Sequence, residues 1–290
     1  MKKRLVTFFL TLTFLAGVSL MLYPTVSNYW NSLHTSKAVA VYDERVRSMD
    51  EQQRDEMWEK AVEYNANLAK TSQTMHISDS KRAEYESVLD VDGTGMMGYI
   101  EIPNINISLP IYHGTENAVL QIATGHLEWT SLPVGGTSSH CVISGHRGLP
   151  SAKLFTNLDQ LKEGDTFVIR VLNEVLTYEV DQIRIVLPVE LNDLQIERGK
   201  DYCTLVTCTP YGVNSHRLLV RGHRVENESE TIRVTSEAIQ IEPLIVAPII
   251  ALPILIVVFV VLIVSSKRRS RITAKLSIKI PGGEEDEENI

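Results

Sequence analysis

Two uncharged apolar runs frame this chain, and between them the spacing of hydrophobic positions changes from a helical to a strand period. Residues 5–22 carry no charge and follow Met1, Lys2, Lys3 and Arg4. Residues 245–264 form the second run, which Lys267, Arg268, Arg269 and Arg271 close. About 20 apolar residues suffice to cross a bilayer as a helix. Pro248 and Pro253 are tolerable there, because neighbouring groups can satisfy the freed carbonyls. No small-x-small cleavage site follows the first run, so it reads as an anchor, with a cleaved signal peptide as the alternative. Both basic clusters belong on the cytoplasmic side. Two spans then leave roughly residues 24–243 outside.

Residues 36–70 predict helix. They contain no Gly or Pro, and apolar residues return at helical spacing: Val39, Tyr42, Val46, Met49, then Met57, Ala61, Tyr64, Leu68. Residues 71–80 are polar and unpatterned, a loop; residues 81–89 offer another turn or two of helix. After Gly93 the texture becomes short β-branched runs broken by Pro, Gly and Asn. Strands are predicted over 98–102, 105–111, 141–144, 167–172, 175–186, 202–208 and 217–224, with a hairpin turn at 172–175. Short helical pieces are expected near 116–121 and 152–161. Seven or so strands at this density suggest a closed barrel or a sandwich. The division expected is an anchor or signal segment at 1–24, a helical region at 25–92 and a β domain at 93–226. A linker at 227–243, a membrane helix at 244–264 and a cytoplasmic tail at 265–290 follow.

Composition changes this picture little. At 290 residues and 44% hydrophobic content the chain can bury one sizeable core. Its net charge of -8 argues against nucleic-acid binding, although residues 284–288 (EEDEE) hold five of the negative charges. No internal repeat and no phosphate-cradling glycine loop is present. Three cysteines, Cys141, Cys203 and Cys208, leave at least one thiol free in an outward-facing domain. Cys203 and Cys208 are five apart, so on a strand they face opposite sides and do not pair. The C-x4-C spacing, without a second pair, gives no zinc site, and no organic cofactor is implied. Cys141 and Cys203 read as small buried hydrophobes.

The chemistry concentrates in two segments. Cys208 ends a β-type run (204–208, TLVTC) where the strand gives way to Thr209-Pro210-Tyr211-Gly212. It reads either as a nucleophile held by a sheet or as a third buried cysteine; a nucleophile would need a proton acceptor or a lowered pKa. His146, between Gly145 and Arg147-Gly148, follows the apolar run CVIS and is placed to protonate a leaving amine. His113, His126, His140, His216 and His223 compete for that role. Arg217, nine residues after Cys208, is either a surface cation or a group that orients a carbonyl and stabilises an oxyanion.

Several of these segments resemble one family. TLVTC looks like the sortase signature TLxTC. The longer TLVTCTPYGVNSHRLLVRG, GHRGLPSAKLF, GYIEIPNINISLPIYHGT and GHLEWTSLPVGG resemble the class C, pilin-polymerising sortases, in the family's order, over about 95–222. The resemblance implies a mainly β fold, an eight-stranded sortase β-barrel with N-terminal helices and flanking transmembrane segments. It places Cys208, His146 and Arg217 at the catalytic cysteine, histidine and arginine. It implies thioacyl transfer from an LPxTG-like sorting signal to a lysine amine of the next pilin subunit, at a Gram-positive-type surface, without metal or cofactor. A housekeeping-type sortase acting on peptidoglycan precursor, a non-catalytic assembly module and an ordinary cysteine endopeptidase are the alternatives. Two departures stand out. Residues 71–89 lack the Asp-Pro-aromatic motif of the class C lid, and Trp129 occupies a position where glycine is common; packing on the barrel is the expectation for Trp129.

Overall fold

After residue 95, alternate side chains point into and out of a sheet that closes on itself. The computed structural model describes residues 2–71, 75, 77–227, 251–253, 255–261 and 264. Eight strands form the barrel: β1 (Met96–Ile102), β2 (Ile107–His113), β3 (Thr124–His126), β4 (Ser139–Ser144), β5 (Thr166–Val171), β6 (Glu174–Val186), β7 (Asp201–Thr209) and β8 (His216–Val225). Their order is β1-β2-β3-β4-β7-β8-β6-β5, closed by antiparallel pairing of β5 with β1. Two pairs, β2–β3 and β4–β7, are parallel; the others are antiparallel. The eight-stranded barrel expected above is therefore present. The strand not predicted, β3, has three residues, too few for an alternation to register.

The interior is filled by Ile100, Ile102, Ile111, Ile143, Phe167, Ile169, Leu205 and Val220, all fully buried. A bulge between Val180 and Gln182 on β6 shifts the parity of that strand. Val180 faces the interior before it, and Ile183 packs against the same core after it, while Val186 joins an apolar cluster on the other face.

Three helices precede the barrel: α1 (Lys2–Ser48), α2 (Glu51–Leu68) and α3 (Asp79–Ser87). The single helix expected over 36–70 is two. Asp50 breaks it by capping α2: its carboxylate accepts from the Gln53 N–H at 2.7 Å while the Gln53 side chain accepts from the Asp50 N–H, a reciprocal box that favours a new N-terminus. The predicted apolar face holds, since Tyr42, Val46 and Ala61 are buried and Val39, Met57 and Tyr64 pack beside them. Near 116–121 the short α4 (Asn117–Leu120) appears as expected. At 152–161 only a 3-10 turn, Leu158–Gln160, forms, because Leu154 takes a left-handed φ of 38° that no α-helix accommodates.

Each long helix is tied to the barrel by one buried polar side chain that serves backbone groups. The Tyr42 hydroxyl donates to the Met97 carbonyl and accepts from the Leu172 N–H, both at 2.8 Å. Asn65 mimics a peptide unit: its Oδ1 accepts from the Leu132 N–H at 2.7 Å and its Nδ2 donates to the Leu132 carbonyl at 3.1 Å. The Tyr85 hydroxyl accepts from the Gly114 N–H and meets His126 Nδ1, both at 3.0 Å.

The chain divides into two units, one of residues 1–25 with 240–290 and one of residues 26–239. In the first, Leu5, Phe8, Leu12, Leu15 and Leu20 are exposed. Helix α1, which runs from the first unit into the second, contains a stretch long and apolar enough to cross a membrane. The expected membrane helix at 244–264 lies outside the described residues except for 251–253, 255–261 and 264, which are helical. The linker beyond residue 227, the acidic tail and residues 72–74 and 76 of the expected loop also lie outside them.

Replacing Asn65 with Ala leaves the buried Leu132 N–H without a partner, while the Leu132 carbonyl keeps the Val134 N–H at 2.8 Å; one unsatisfied buried group costs about 1–3 kcal/mol. Chemical denaturation of the Asn65→Ala protein should show a loss in the range of about 1–3 kcal/mol. A loss under about 0.5 kcal/mol would mean that α2 is not held through this pair.

Candidate active site

The apolar residues that face away from the barrel interior are not spread evenly. Val142 on β4, Val206 on β7, Leu219 on β8 and Val186 at the end of β6 form one patch, covered by Trp129 and Leu194, with Leu127, Leu191 and Ile77 packed against it. Trp129 is 6% exposed, so it packs on the barrel as expected. Cys208 and Arg217 follow from the same parity. Cys208 lies two residues beyond Val206, and Arg217 two residues before Leu219, so both share the face of this patch.

Register brings three residues into one row. Cys208 and Arg217 are direct cross-strand partners in the antiparallel β7–β8 pair. Side chains in that relation start about 4.5–5.5 Å apart at Cβ. On the other side of β7, the parallel pair with β4 runs in register to Ser144 opposite Val206. Carried two residues past the end of β4, that register would set His146 beside Cys208. The pairing persists past the last ladder residue: the Gly145 N–H donates to the Val206 carbonyl at 3.0 Å, and the Thr207 hydroxyl donates to the Gly145 carbonyl at 2.7 Å.

The segment around His146 is tightly confined. The His146 carbonyl accepts from the Phe155 N–H at 3.1 Å. A Cβ on Gly145 would come within 2.7 Å of the fully buried Phe155 ring, so only glycine lets the segment lie against it. Gly148 has a φ of 78°, and the Tyr211 ring from the β7–β8 turn covers the place where its Cβ would stand. Arg217 Nη1 donates to the carbonyls of Asn214 and His216 at 3.2 and 3.1 Å, which fastens one arm of its fork to that turn.

Four of the five competing histidines are hydrogen-bonded, and the Nδ1 of the fifth, His223, has no hydrogen-bond partner. His126 has Nε2 on the Ser131 carbonyl at 2.8 Å and Nδ1 on Tyr85. His140 has Nδ1 on the Gln195 carbonyl and Nε2 on the Thr204 hydroxyl. His113 spans the carbonyls of Gly95 and Val88. His216 faces Ser215, and His223 lies 4.0 Å from Asp181. Among the described residues the His146 ring has no hydrogen-bond partner, and it is half-buried. Partial burial pushes its pKa below the ordinary histidine value by desolvating the cation.

Cysteines divide the same way. Cys141 and Cys203 face each other across β4 and β7 inside the core, 1% and 0% exposed, as the sequence suggested. Burial pushes the Cys203 thiol well above its ordinary pKa. Cys208 alone is half-exposed, and all three are free thiols. No group of three or more metal-binding side chains exists among the described residues. Arg147 and Thr209, which bracket the row and are joined by a hydrogen bond of 3.2 Å, were not singled out in the sequence. The only available signal was that each is the neighbour of a candidate.

Comparison with known proteins follows this geometry. A Sortase domain family model matches residues 100–225. Sortase A of Streptococcus agalactiae is 30% identical over 157 residues, covering 52% of this chain and 62% of that protein. The chain therefore spans less than two thirds of the length of that curated relative. The crystal structure of sortase C1 from Streptococcus agalactiae is 56% identical with a TM-score of 0.65, covering 66% of this chain and all of that one. Sortase C of Streptococcus pneumoniae is 45% identical with a TM-score of 0.61, covering 67% of this chain and all of that one.

An NMR titration of the His146 ring in a Cys208→Ala protein should give a midpoint below the ordinary value of about 6.5. Because the folded pKa is lowered, folding disfavours the protonated ring, and His146 adds a small loss of stability as pH falls through about 6.5. A midpoint above 6.5 would show an anion beside the ring that outweighs burial.

Proposed function

The chain belongs to the sortase family, and we propose that it is a membrane-tethered cysteine transpeptidase that joins pilin subunits. The observation that carries this reading is the row His146–Cys208–Arg217, set by the register of three adjacent strands on one outer face. The identity to class C structures, one of them described for pilin substrate specificity, favours pilins as substrates. Residues 1–24 would tether the domain, with residues 93–226 as the catalytic domain outside the membrane. A second span at 244–264 would place both termini in the cytoplasm.

In this reading the Cys208 thiolate attacks the threonine carbonyl carbon of the sorting signal, forming a C–S bond and an oxyanion. Arg217 stabilises that oxyanion. As the C–N bond to glycine breaks, the His146 imidazolium gives its proton to the leaving amine. The thioacyl enzyme is then attacked by a lysine amine of the next pilin. A C–N bond forms, the proton passes to His146, and Cys208 leaves as the thiolate. Thiolate and imidazolium are both required at the start. The lowered pKa of His146 reduces the share of imidazolium at neutral pH.

Intact-mass spectrometry of the full chain in detergent, incubated with an LPxTG-type peptide, tests the first half. A thioacyl adduct is expected on the wild type and none on Cys208→Ala. His146→Ala and Arg217→Ala should each reduce peptide turnover by about 10²–10⁴-fold. Adding a purified pilin that bears a sorting signal should give a ladder of covalent multimers. Transfer only to a peptidoglycan-precursor amine would replace pilin joining with surface anchoring, and absence of an adduct with every such peptide would sink the reading.

A further inference from the structure

We propose that Arg147 is a positioning residue that sets the His146 imidazole against the Cys208 sulfur by clasping the strand that carries the nucleophile. The inference rests on the transpeptidase reading above for its kinetic consequence, but not for its geometry.

The β4–β7 register ends with Ser144 opposite Val206; carried past the end of β4, it would set Gly145, His146 and Arg147 opposite Thr207, Cys208 and Thr209. The outer members of these two triplets are joined directly. The Thr207 hydroxyl donates to the Gly145 carbonyl at 2.7 Å, and Arg147 Nη1 donates to the Thr209 hydroxyl at 3.2 Å. The central members, His146 and Cys208, are thus bracketed on both sides by bonds between their neighbours. Both bonds are made by side chains, just past the last backbone bond of the pair, from the Gly145 N–H to the Val206 carbonyl. The second lies at the point where the segment turns away through Gly148.

Arg147 is suited to this by its shape. Its other terminal nitrogen, Nη2, is ion-paired with Asp159 Oδ2. Asp159 lies in the 3-10 turn Leu158–Gln160, whose Leu158 is fully buried. The guanidinium therefore spans from the nucleophile strand to a turn rooted in the core, and its side chain is only 11% exposed. A planar fork reaches two acceptors at fixed angles, whereas a lysine ammonium on a flexible stem does not. Proton transfer between His146 and a leaving amine needs heavy-atom separations of about 2.6–3.2 Å. A displacement near 1 Å is enough to cost on the order of 10²-fold in rate. The clasp acts where that tolerance is set.

The test combines a readout that needs no sorting signal with one that does. In the full chain, alkylation of Cys208 by iodoacetamide is followed against pH; Cys141 and Cys203 are buried and stay silent. Wild type should show an inflection from His146 in addition to the thiol's own, and Arg147→Gln should lose it. With an LPxTG-type peptide and an added amine, Arg147→Gln should lower kcat by roughly 10–100-fold while KM changes by less than about threefold. Arg147→Lys should recover only part of that loss. Thr209→Val should lower kcat in the same sense, and the double variant should be no worse than Arg147→Gln, because both remove one contact. Should Arg147→Gln fail to fold, Asp159→Asn, which weakens only the outer arm, should give a smaller loss of the same kind. A wild-type alkylation profile and kcat in these variants would overturn the proposal, as would losses that multiply or that appear in KM alone. Wild type that alkylates with the His146 inflection yet forms no adduct with any LPxTG-type peptide would sink the functional reading and leave the clasp standing.

Discussion

Parallel pairing of β4 with β7 is the constraint on which the site depends. Antiparallel neighbours can be joined by a tight turn, but a parallel pair needs a long crossover. Here the crossover is residues 145–200, carrying β5, β6 and the Phe155 and Leu158 segment. The pairing is held by six residues in unbroken register from Ser139 with Asp201 to Ser144 with Val206. Its last members stand two residues before His146 and Cys208. Register is specified here because both faces are buried. Cys141 and Ile143 with Cys203 and Leu205 go inward, and Val142 with Val206 goes to the apolar patch outside. A slip by one residue would exchange the two sets and turn Cys208 into the core.

The division into faces also distributes the reactive side chains. Inside, the polar groups are committed: His126 to Ser131 and Tyr85, and Tyr178 and Ser139 to Asp201. At the lower part of the outer face, Arg221 forms a two-armed ion pair with Asp181 and lies over the Tyr202 ring, and His140 is fixed by Thr204 and Gln195. These contacts hold β6, β7, β8 and the segment after β6 together. What they leave uncommitted stands at the upper end of the same face, where the His146 ring and the Cys208 thiol are half-buried. Stability and chemistry therefore occupy different stretches of the same strands.

Much of this was legible in the residues. Seven strands showed themselves by β-branched runs between Pro, Gly and Asn, and the apolar faces of the N-terminal helices by their spacing. The capping box at Asp50 was equally visible and overrides the helical composition around it, so the single helix over 36–70 was an error of reading. The missing helix at 152–161 is different, because the left-handed φ of Leu154 comes from the way the segment turns around buried Phe155, and nothing local announces that. At the site, type and spacing left Cys208, His146 and Arg217 open to bland readings, and a family resemblance joined them. What the residues could not tell is which histidines are committed to hydrogen bonds within the fold. That depends on partners 5 to 64 positions away, such as Ser131 for His126 and Thr204 for His140. The bond from Arg147 to Thr209, 62 residues apart, is invisible for the same reason.

Order along the row has a consequence for how an acyl group would be passed on. Cys208 stands between its two partners, with Arg217 on the β8 side and His146 on the β4 side. In the proposed mechanism, a carbonyl held at the sulfur with its oxygen toward Arg217 would have its leaving nitrogen on the side of His146, the proposed proton donor. The second half-reaction passes through the same kind of tetrahedral intermediate in reverse. On that proposal the incoming amine would occupy the place that the leaving amine vacated and surrender its proton to the same imidazole. Donor and acceptor then use the β4 side in turn, past the turn at Gly148 that the Tyr211 ring covers. An amine positioned there competes with water by proximity, since orientation at the reacting carbon is worth many orders of effective concentration. Transfer in preference to hydrolysis would in this view be a property of the β4-side approach, while Cys208 and Arg217 serve both outcomes alike.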